Sequence, residues 1–313
     1  MASKTSERTA PVAVLMFNRP DTTRRVLERV LDSLPSEVFL IADGPRPNHP
    51  DDQALCDETR VLAQSLPWGC PVHTLFAEMN MGLRARVTSG LDWVFDHVES
   101  VIIVEDDCLA DPSFFDYATE LLGTYRDNEQ IGVISGNNFL RGRRMSHDSY
   151  YFTPDVRIWG WATWRRVWQD FSRDGLNHQW KESELDTALG QLGSKGRARA
   201  LRADAMRAHK VNSWALPFVL QSLRRGYKNI APETNLVTNV GFGADSTHTK
   251  FESFTAEVPA GSITLPLRHP ERVVSHPEEG VVQDRVAQLQ WIVFPLTHPI
   301  EFVARVLRYL SAR

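Results

Sequence analysis

Residues 105–107 are Glu-Asp-Asp, and they follow the apolar run Val101-Ile102-Ile103-Val104 directly. The run predicts a strand buried on both faces. The three carboxylates then stand at its C-terminal end, where open α/β sheets place their ligands. Like charges packed this closely repel. A divalent cation carrying phosphates is the commonest reason to keep them together. The other reading is a solvated acidic turn after a core strand.

More polar residues fall at predicted strand ends. Asn18 and Arg19 follow a strand over Val12–Phe17, Asp43 follows one over Glu37–Ala42, and Asn80 and Gly82 follow one over Val72–Ala77. Four successive strand ends of this kind describe a lined crevice. An Arg and an Asp suit hydrogen bonds to a base, and carboxylates suit a ribose and a metal on a diphosphate. Each residue also has a plainer reading. Arg19 can cap or pair at the surface, and Asp43-Gly44-Pro45 is a turn sequence. Asn80 and Gly82 can simply shape a turn. Neither GxGxxG nor GxxxxGK[ST] occurs, so no Rossmann dinucleotide fingerprint and no P-loop is present.

The elements that must position these residues alternate. Helices are predicted over Thr22–Leu34, Asp52–Gln64, Leu83–Val98 and Phe114–Tyr125, with a further strand over Ile131–Ser135. This rhythm predicts an α/β fold whose mostly parallel sheet carries helices on both faces. Residues 1–10 read as a disordered tail. Beyond about residue 140 the rhythm breaks. Arg141–Arg144 and Asp148–Asp155 read as loop, and residues 180–210 as partly exposed helix. Trp161, Trp164 and Trp168 share a helical face, the usual mark of core packing. Trp161, just after Gly160, can instead line a sugar site.

A net charge of −4 gives no basic excess for nucleic acid. Three cysteines, Cys56, Cys70 and Cys108, are too few to frame a disulfide scaffold and fit a reducing compartment. The N-terminus lacks an apolar signal core, and no run approaches the ~20 apolar residues of a membrane span. A cytoplasmic protein, at most peripheral at the inner membrane face, is expected. Ile300, Val303, Leu307 and Leu310 form one helical face near Arg305, Arg308 and Arg313. This C-terminal segment reads as a helix packed on the body or on a second copy in a homodimer. The alternative is a basic amphipathic element on a membrane.

In order and spacing, FNRPDTTRRVLERVL (17–31), IADGP (41–45), EMNMGLRARVTSGLDWVF (78–95), VIIVEDDCLADPSFFDY (101–117), WGWATWRRVW (159–168) and NLVTNVGFGADSTHT (235–249) resemble the GT-A fold nucleotide-diphospho-sugar glycosyltransferases. Within these, the chain is most similar to bacterial relatives of N-acetylglucosaminyltransferase I. The resemblance implies a GT-A domain over residues 11–275, with a nucleotide-binding half (11–140) and an acceptor-side half (141–275), then a C-terminal helical extension (276–313). It implies that Arg19 and Asp43 contact the base, with Arg86 near the nucleotide. Glu105 and Asp106 would serve the ribose, and Asp106 and Asp107 a Mn²⁺ or Mg²⁺ ion, with Asp107 the more direct ligand. Trp161 would lie beside the donor sugar. His248, in a glycine-flanked loop, would reach phosphate or metal. The implied partners are a nucleotide-sugar donor, UDP-linked, with N-acetylglucosamine as the leading sugar, and a glycan or lipid-linked glycan acceptor, as in surface polysaccharide biosynthesis. Transfer would invert the anomeric centre.

Such a reaction needs a general base for the acceptor hydroxyl. In the resembling enzymes an Asp follows a Trp at the start of a later helix. Here that stretch is Asn212-Ser213-Trp214-Ala215-Leu216-Pro217, without a carboxylate. Asp155, Asp245 and Glu233 are the remaining candidates. Two rivals stand beside the transferase. One is a nucleotide-sugar binder of this fold without catalysis. The other, a sugar-phosphate nucleotidyltransferase, requires a Gly-rich, Arg-containing loop after its first strand, and Phe17-Asn18-Arg19-Pro20 is not one.

Overall fold

The computed structural model describes residues 8–206, 213–241 and 258–297. Eight strands form the main sheet. Along the chain these are β1 (Val12–Met16), β2 (Val38–Ala42), β3 (Val72–Phe76), β4 (Ser100–Glu105), β6 (Ile131–Ser135), β7 (Tyr150–Thr153), β8 (Trp161–Trp164) and β9 (Lys228–Pro232). Their spatial order is β3-β2-β1-β4-β8-β6-β9-β7. The short strands β5 (Cys108–Ala110) and β10 (Val237–Asn239) pair antiparallel beside it.

The first half follows the sequence rhythm. Helices α1 (Pro20–Asp32) and α2 (Asp52–Ser65) connect β1 to β2 and β2 to β3, and α3 (Leu83–His97) returns the chain to β4. β1, β2, β3 and β4 are mutually parallel neighbours. Every residue of β1 and β2 is buried, as continuous apolar runs require. Right-handed crossovers in opposite directions put α1 and α2 on one face and α3 on the other. The order therefore reverses between β1 and β4. That is the switch point of the sheet, where ligands of open α/β folds bind.

The second half departs from the sequence reading. Trp161–Trp164 is a strand, β8, antiparallel to both β4 and β6. The i, i+3 spacing of Trp161 and Trp164 mimics a helix because β8 is buried on both faces and so lacks alternation. Only Trp168 is helical, in α5 (Arg165–Asp170), which runs into a π-turn at Phe171–Gly175. Tyr150–Thr153, expected to be loop, is the edge strand β7 on β9. α4 (Ser113–Thr124) lies where expected, and α6 (Glu182–Gly190) and α7 (Lys195–Met206) match the expected helical stretch.

Residues 8–10, expected to belong to a disordered tail, are held against the body. Thr9 bridges to Pro35, and the Arg8 guanidinium donates to the carbonyls of Pro35 and Gly69 at 3.0 and 2.6 Å. At the other end, α9 (Glu278–Thr297) supplies a C-terminal helix. Its first turns are tied to the body through Glu279 and through Asp284, which accepts from Ser194 Oγ at 2.6 Å and the Gly196 amide at 3.1 Å. The amphipathic face from Ile300 onward lies outside the described residues. No described helix is long and apolar enough to cross a membrane.

Candidate functional site

β1 and β4 deliver their loops side by side at the switch point. The Asp106 amide donates to Leu15 O at 2.9 Å, and Asp106 Oδ2 accepts the Phe17 amide at 3.0 Å. Arg19, placed by Pro20 at the first position of α1, reaches across with Nη1 3.0 Å from Asp107 Oδ2 and 3.7 Å from Asp106 Oδ1. Here Arg19 is the counter-charge of the acidic triplet.

Asp107 has further partners. Oδ1 accepts from Asn239 Nδ2 at 3.2 Å, and the Val240 amide donates to its carbonyl at 2.8 Å. A Cβ on Gly241 would stand 2.2 Å from Asp107 Oδ2, so only glycine lets the segment after β10 pass this close. Asn239 and Gly241 were not legible as site residues. They meet Asp107 only through the β5–β10 pairing, which joins residues about 130 positions apart.

The triplet carries more negative charge than its surroundings neutralise. Burial, and then the neighbouring carboxylates Asp107 and Asp106, push Glu105 up to about 8. Burial and Asp107 push Asp106 up to about 7, against the opposing pull of Arg19 and the Phe17 amide. Among the described residues, Arg19 supplies the one guanidinium paired with the triplet. A hard divalent cation bound through oxygen would relieve this, so the donor chemistry fits Mn²⁺ or Mg²⁺. Among the described residues no three acidic, His or Cys side chains converge to hold an ion alone. That fits a metal held by one or two carboxylates plus phosphate oxygens, the common arrangement for Mg²⁺.

Asp43 holds a turn together in this structure. Oδ1 accepts the amides of Gly44 and Met81, each at 2.8 Å. Oδ2 accepts the Gly82 amide and Asn80 Nδ2, each at 3.1 Å. A carboxylate offers about four acceptor positions, and all are taken. Asp43 organises the 79–82 turn, in which Gly82 adopts φ +79°. Asn80 and Gly82 are correspondingly parts of that turn. Asn18 is likewise engaged, donating to Asp52 Oδ1 at 2.7 Å. Asp52 also binds Arg46 through Nε at 2.6 Å, and this pairing pulls its carboxyl down to about 2.

Arg86 keeps a site-like character. It is 6% exposed, Nη1 touches the Met81 sulphur at 3.7 Å, and Nε has no partner. Burial lowers its pKa, partly offset by the Asp43 charge. A buried guanidinium without a carboxylate hydrogen bond is a ready receptor for a ligand oxygen.

The other candidates separate from the crevice. Trp161 is fully buried, stacked on Trp214 with centroids 5.7 Å apart. It is core, and its indole N–H lacks a partner. The neighbouring Trp159 is the half-buried one, edge-on to Phe139 at 5.5 Å. Asp155 is 4% exposed and lies 3.3 Å from Arg197 Nε and 3.9 Å from Arg157 Nε. It is engaged by two guanidiniums. Glu233 is engaged as well. Its oxygens accept the Met145 amide, and the amide and hydroxyl of Ser146, at 2.6 to 3.2 Å. Trp214 does open a helix, α8 (Ala215–Arg225), with Ala215 where a carboxylate was sought. Asp245 and His248 lie outside the described residues.

No model of a protein family matches the chain, and no curated protein matches it. Solved structures resemble it loosely. A mannosyltransferase from Pyrobaculum calidifontis, in complex with GDP-mannose and Mn²⁺, is 15% identical over 68% of this chain and 73% of its own, with a TM-score of 0.37. A UDP-glucose pyrophosphorylase complexed with UDP-glucose is 10% identical over 72% of this chain and 90% of its own, with a TM-score of 0.39. An apo UDP-glucose pyrophosphorylase is 10% identical over 73% and 93%, with the same TM-score.

Proposed function

We propose that this chain is a GT-A glycosyltransferase that moves a sugar from a nucleotide-diphosphate donor, UDP-linked, to a hydroxyl of a glycan. The observation that carries this reading is the acidic triplet at the switch point, under-neutralised and facing Arg19. The sequence motifs that resemble GT-A transferases run through the same residues.

Asp107 and Asp106 would hold Mn²⁺ or Mg²⁺, which when bound neutralises the departing diphosphate. Glu105 lies on the same edge for the ribose. Arg86, with its Nε unpartnered, would take an oxygen of the nucleotide. Arg19 must leave the carboxylates, or share them, as the cation arrives, and it is then free to meet the donor. N-acetylglucosamine remains the leading donor sugar through the resemblance alone. Inversion would require one carboxylate to remove the acceptor proton in line with displacement. With Asp155 and Glu233 engaged elsewhere, Asp245 is the remaining candidate.

The test is thermal stability against a panel of nucleotide sugars with and without Mn²⁺. Saturation at 100 times Kd adds about 2.7 kcal/mol. A metal-dependent shift for one donor is expected, and turnover follows from release of free nucleotide diphosphate. No shift with any donor would overturn the reading. Ala215 favours one alternative, a binder without catalysis. It predicts the same shift with no nucleotide release under any acceptor.

A further inference from the structure

The loop between β6 and β7 leaves the sheet at the same end as the acidic triplet. β8 is antiparallel to both β4 and β6, so β4 and β6 point the same way. The two loops are also joined. Asn137 Nδ2 donates to Val237 O at 3.1 Å, and two residues later Asn239 binds Asp107.

This loop is built to present charge. Arg141, Arg143 and Arg144 fall within four residues, and all are exposed. Arg144 reaches only the carbonyls of Ser146 and Asp148, and among the described residues neither Arg143 nor Arg144 pairs with a carboxylate. Arg268, also exposed, runs alongside, its amide and carbonyl bonded to Ser149 at 2.9 Å each. The stem is rigid. Glu233 clamps Met145 and Ser146, and Arg141 and Gly142 both adopt positive φ, +51° and +81°. A non-glycine residue held there marks a loop over-determined by its surroundings. In a chain of net charge −4, this concentration of guanidinium is local. Phe139, in this loop, meets Trp159 edge to face at 5.5 Å, both are half-buried, and Trp159 lies two residues before Trp161, which pairs with Ile103 of β4.

We propose that Phe139, Trp159 and these arginines receive the acceptor, and that the acceptor is a saccharide bearing an oxyanion, phosphate or carboxylate. The proposal rests on the transferase reading for the word acceptor. An aromatic pair offers an apolar face to a sugar ring. Guanidinium groups, and here no lysine, suit the planar, bidentate recognition of oxyanions.

The test uses the full chain and three fluorescent oligosaccharides, one neutral, one with a single phosphate, and one with a carboxylate at the same position. At least one anionic form should bind about tenfold or more tightly than the neutral one, with the gap narrowing as salt is raised. Arg143→Gln with Arg144→Gln should erase the gap while leaving the donor-induced thermal shift intact. Arg143→Glu, a single change at an exposed site, should do the same without touching the contacts of Arg144. Equal binding of all three saccharides overturns the proposal, and so does a gap that survives these substitutions. Binding through these arginines to phosphatidylglycerol vesicles, with no preference among the saccharides, also overturns it and makes the loop a membrane contact. Failure of the transferase reading appears separately, as loss of any nucleotide-sugar shift.

Discussion

Two regions of this molecule bury carboxylates against arginine, with opposite results. At the first turn of α9, Glu279 pairs with Arg157 and accepts Thr153 Oγ1 at 3.0 Å, with both charged side chains almost fully enclosed. Arg157 also donates to Asn137 O at 3.2 Å and stands over the Phe139 ring at 5.4 Å, while Arg197 shares Asp155. Burial alone would lower the Arg157 pKa, but Glu279, Tyr151 and Asp155 outweigh it and raise it. That cluster is closed. The triplet at β4 is open: among the described residues one arginine faces three carboxyls, two of which are pushed up toward neutrality. A structural cluster matches its charges, whereas a ligand site leaves the imbalance for the ligand to cure.

The widest separation between the two should come from deleting one carboxylate in each. Glu279→Ala strands the buried Arg157 and should cost roughly 3–5 kcal/mol in urea unfolding. A loss under about 1 kcal/mol, the scale of a surface pair, would break the contrast. Asp107→Asn should have the opposite character. Relief of repulsion leaves stability unchanged or higher, while Mn²⁺-dependent donor binding weakens by more than about tenfold, or 1.4 kcal/mol. Retained binding with unchanged metal dependence would remove the metal role. Asp43→Ala falls between these. Four donors lose their acceptor, and about 1–3 kcal/mol of stability should go with them. A variant of full stability that fails only in donor binding would make Asp43 a base contact.

Legibility in the sequence followed the range of the interactions. Val12–Met16 and Val101–Val104 announce themselves because parallel strands are continuous apolar runs, and their order placed the triplet on the ligand edge. β5, β9 and β10 are three to five residues long and exist through partners far along the chain, so no local pattern marks them. Asp43 shows the same limit at a single residue. Asp-Gly-Pro suits a turn or a site equally, and the deciding donors, Asn80 to Gly82, lie nearly forty residues away. Asp155 looked available because its captors, Arg157 and Arg197, belong to β7–β8 and α7 packing. The burial of Trp161 was hidden for a related reason. Burial on both faces of β8 erased the alternation that would have separated core from rim.

The pH dependence tests the open region without any ligand. Glu105 and Asp106 have ordinary values near 4 when unfolded and sit near 8 and 7 when folded. Between those limits the folded chain holds protons that the unfolded chain has released. Stability therefore falls as pH rises through that window, and levels off above it. Asp52, held at about 2 by Arg46, works in the opposite sense: its contribution is present above its ordinary value and is lost only as pH falls through about 2. Metal-free unfolding measured from pH 5 to 8 should show the decline, and Asp106→Asn should flatten it, because its amide oxygen can still accept from Phe17. Mn²⁺ alone, which prefers the deprotonated triplet, should bind more tightly at pH 8 than at pH 6 and release protons as it does. A metal-free chain that grows more stable from pH 5 to 8 would mean that the triplet is already neutralised. The distinction between an open and a closed cluster would then fail at its source.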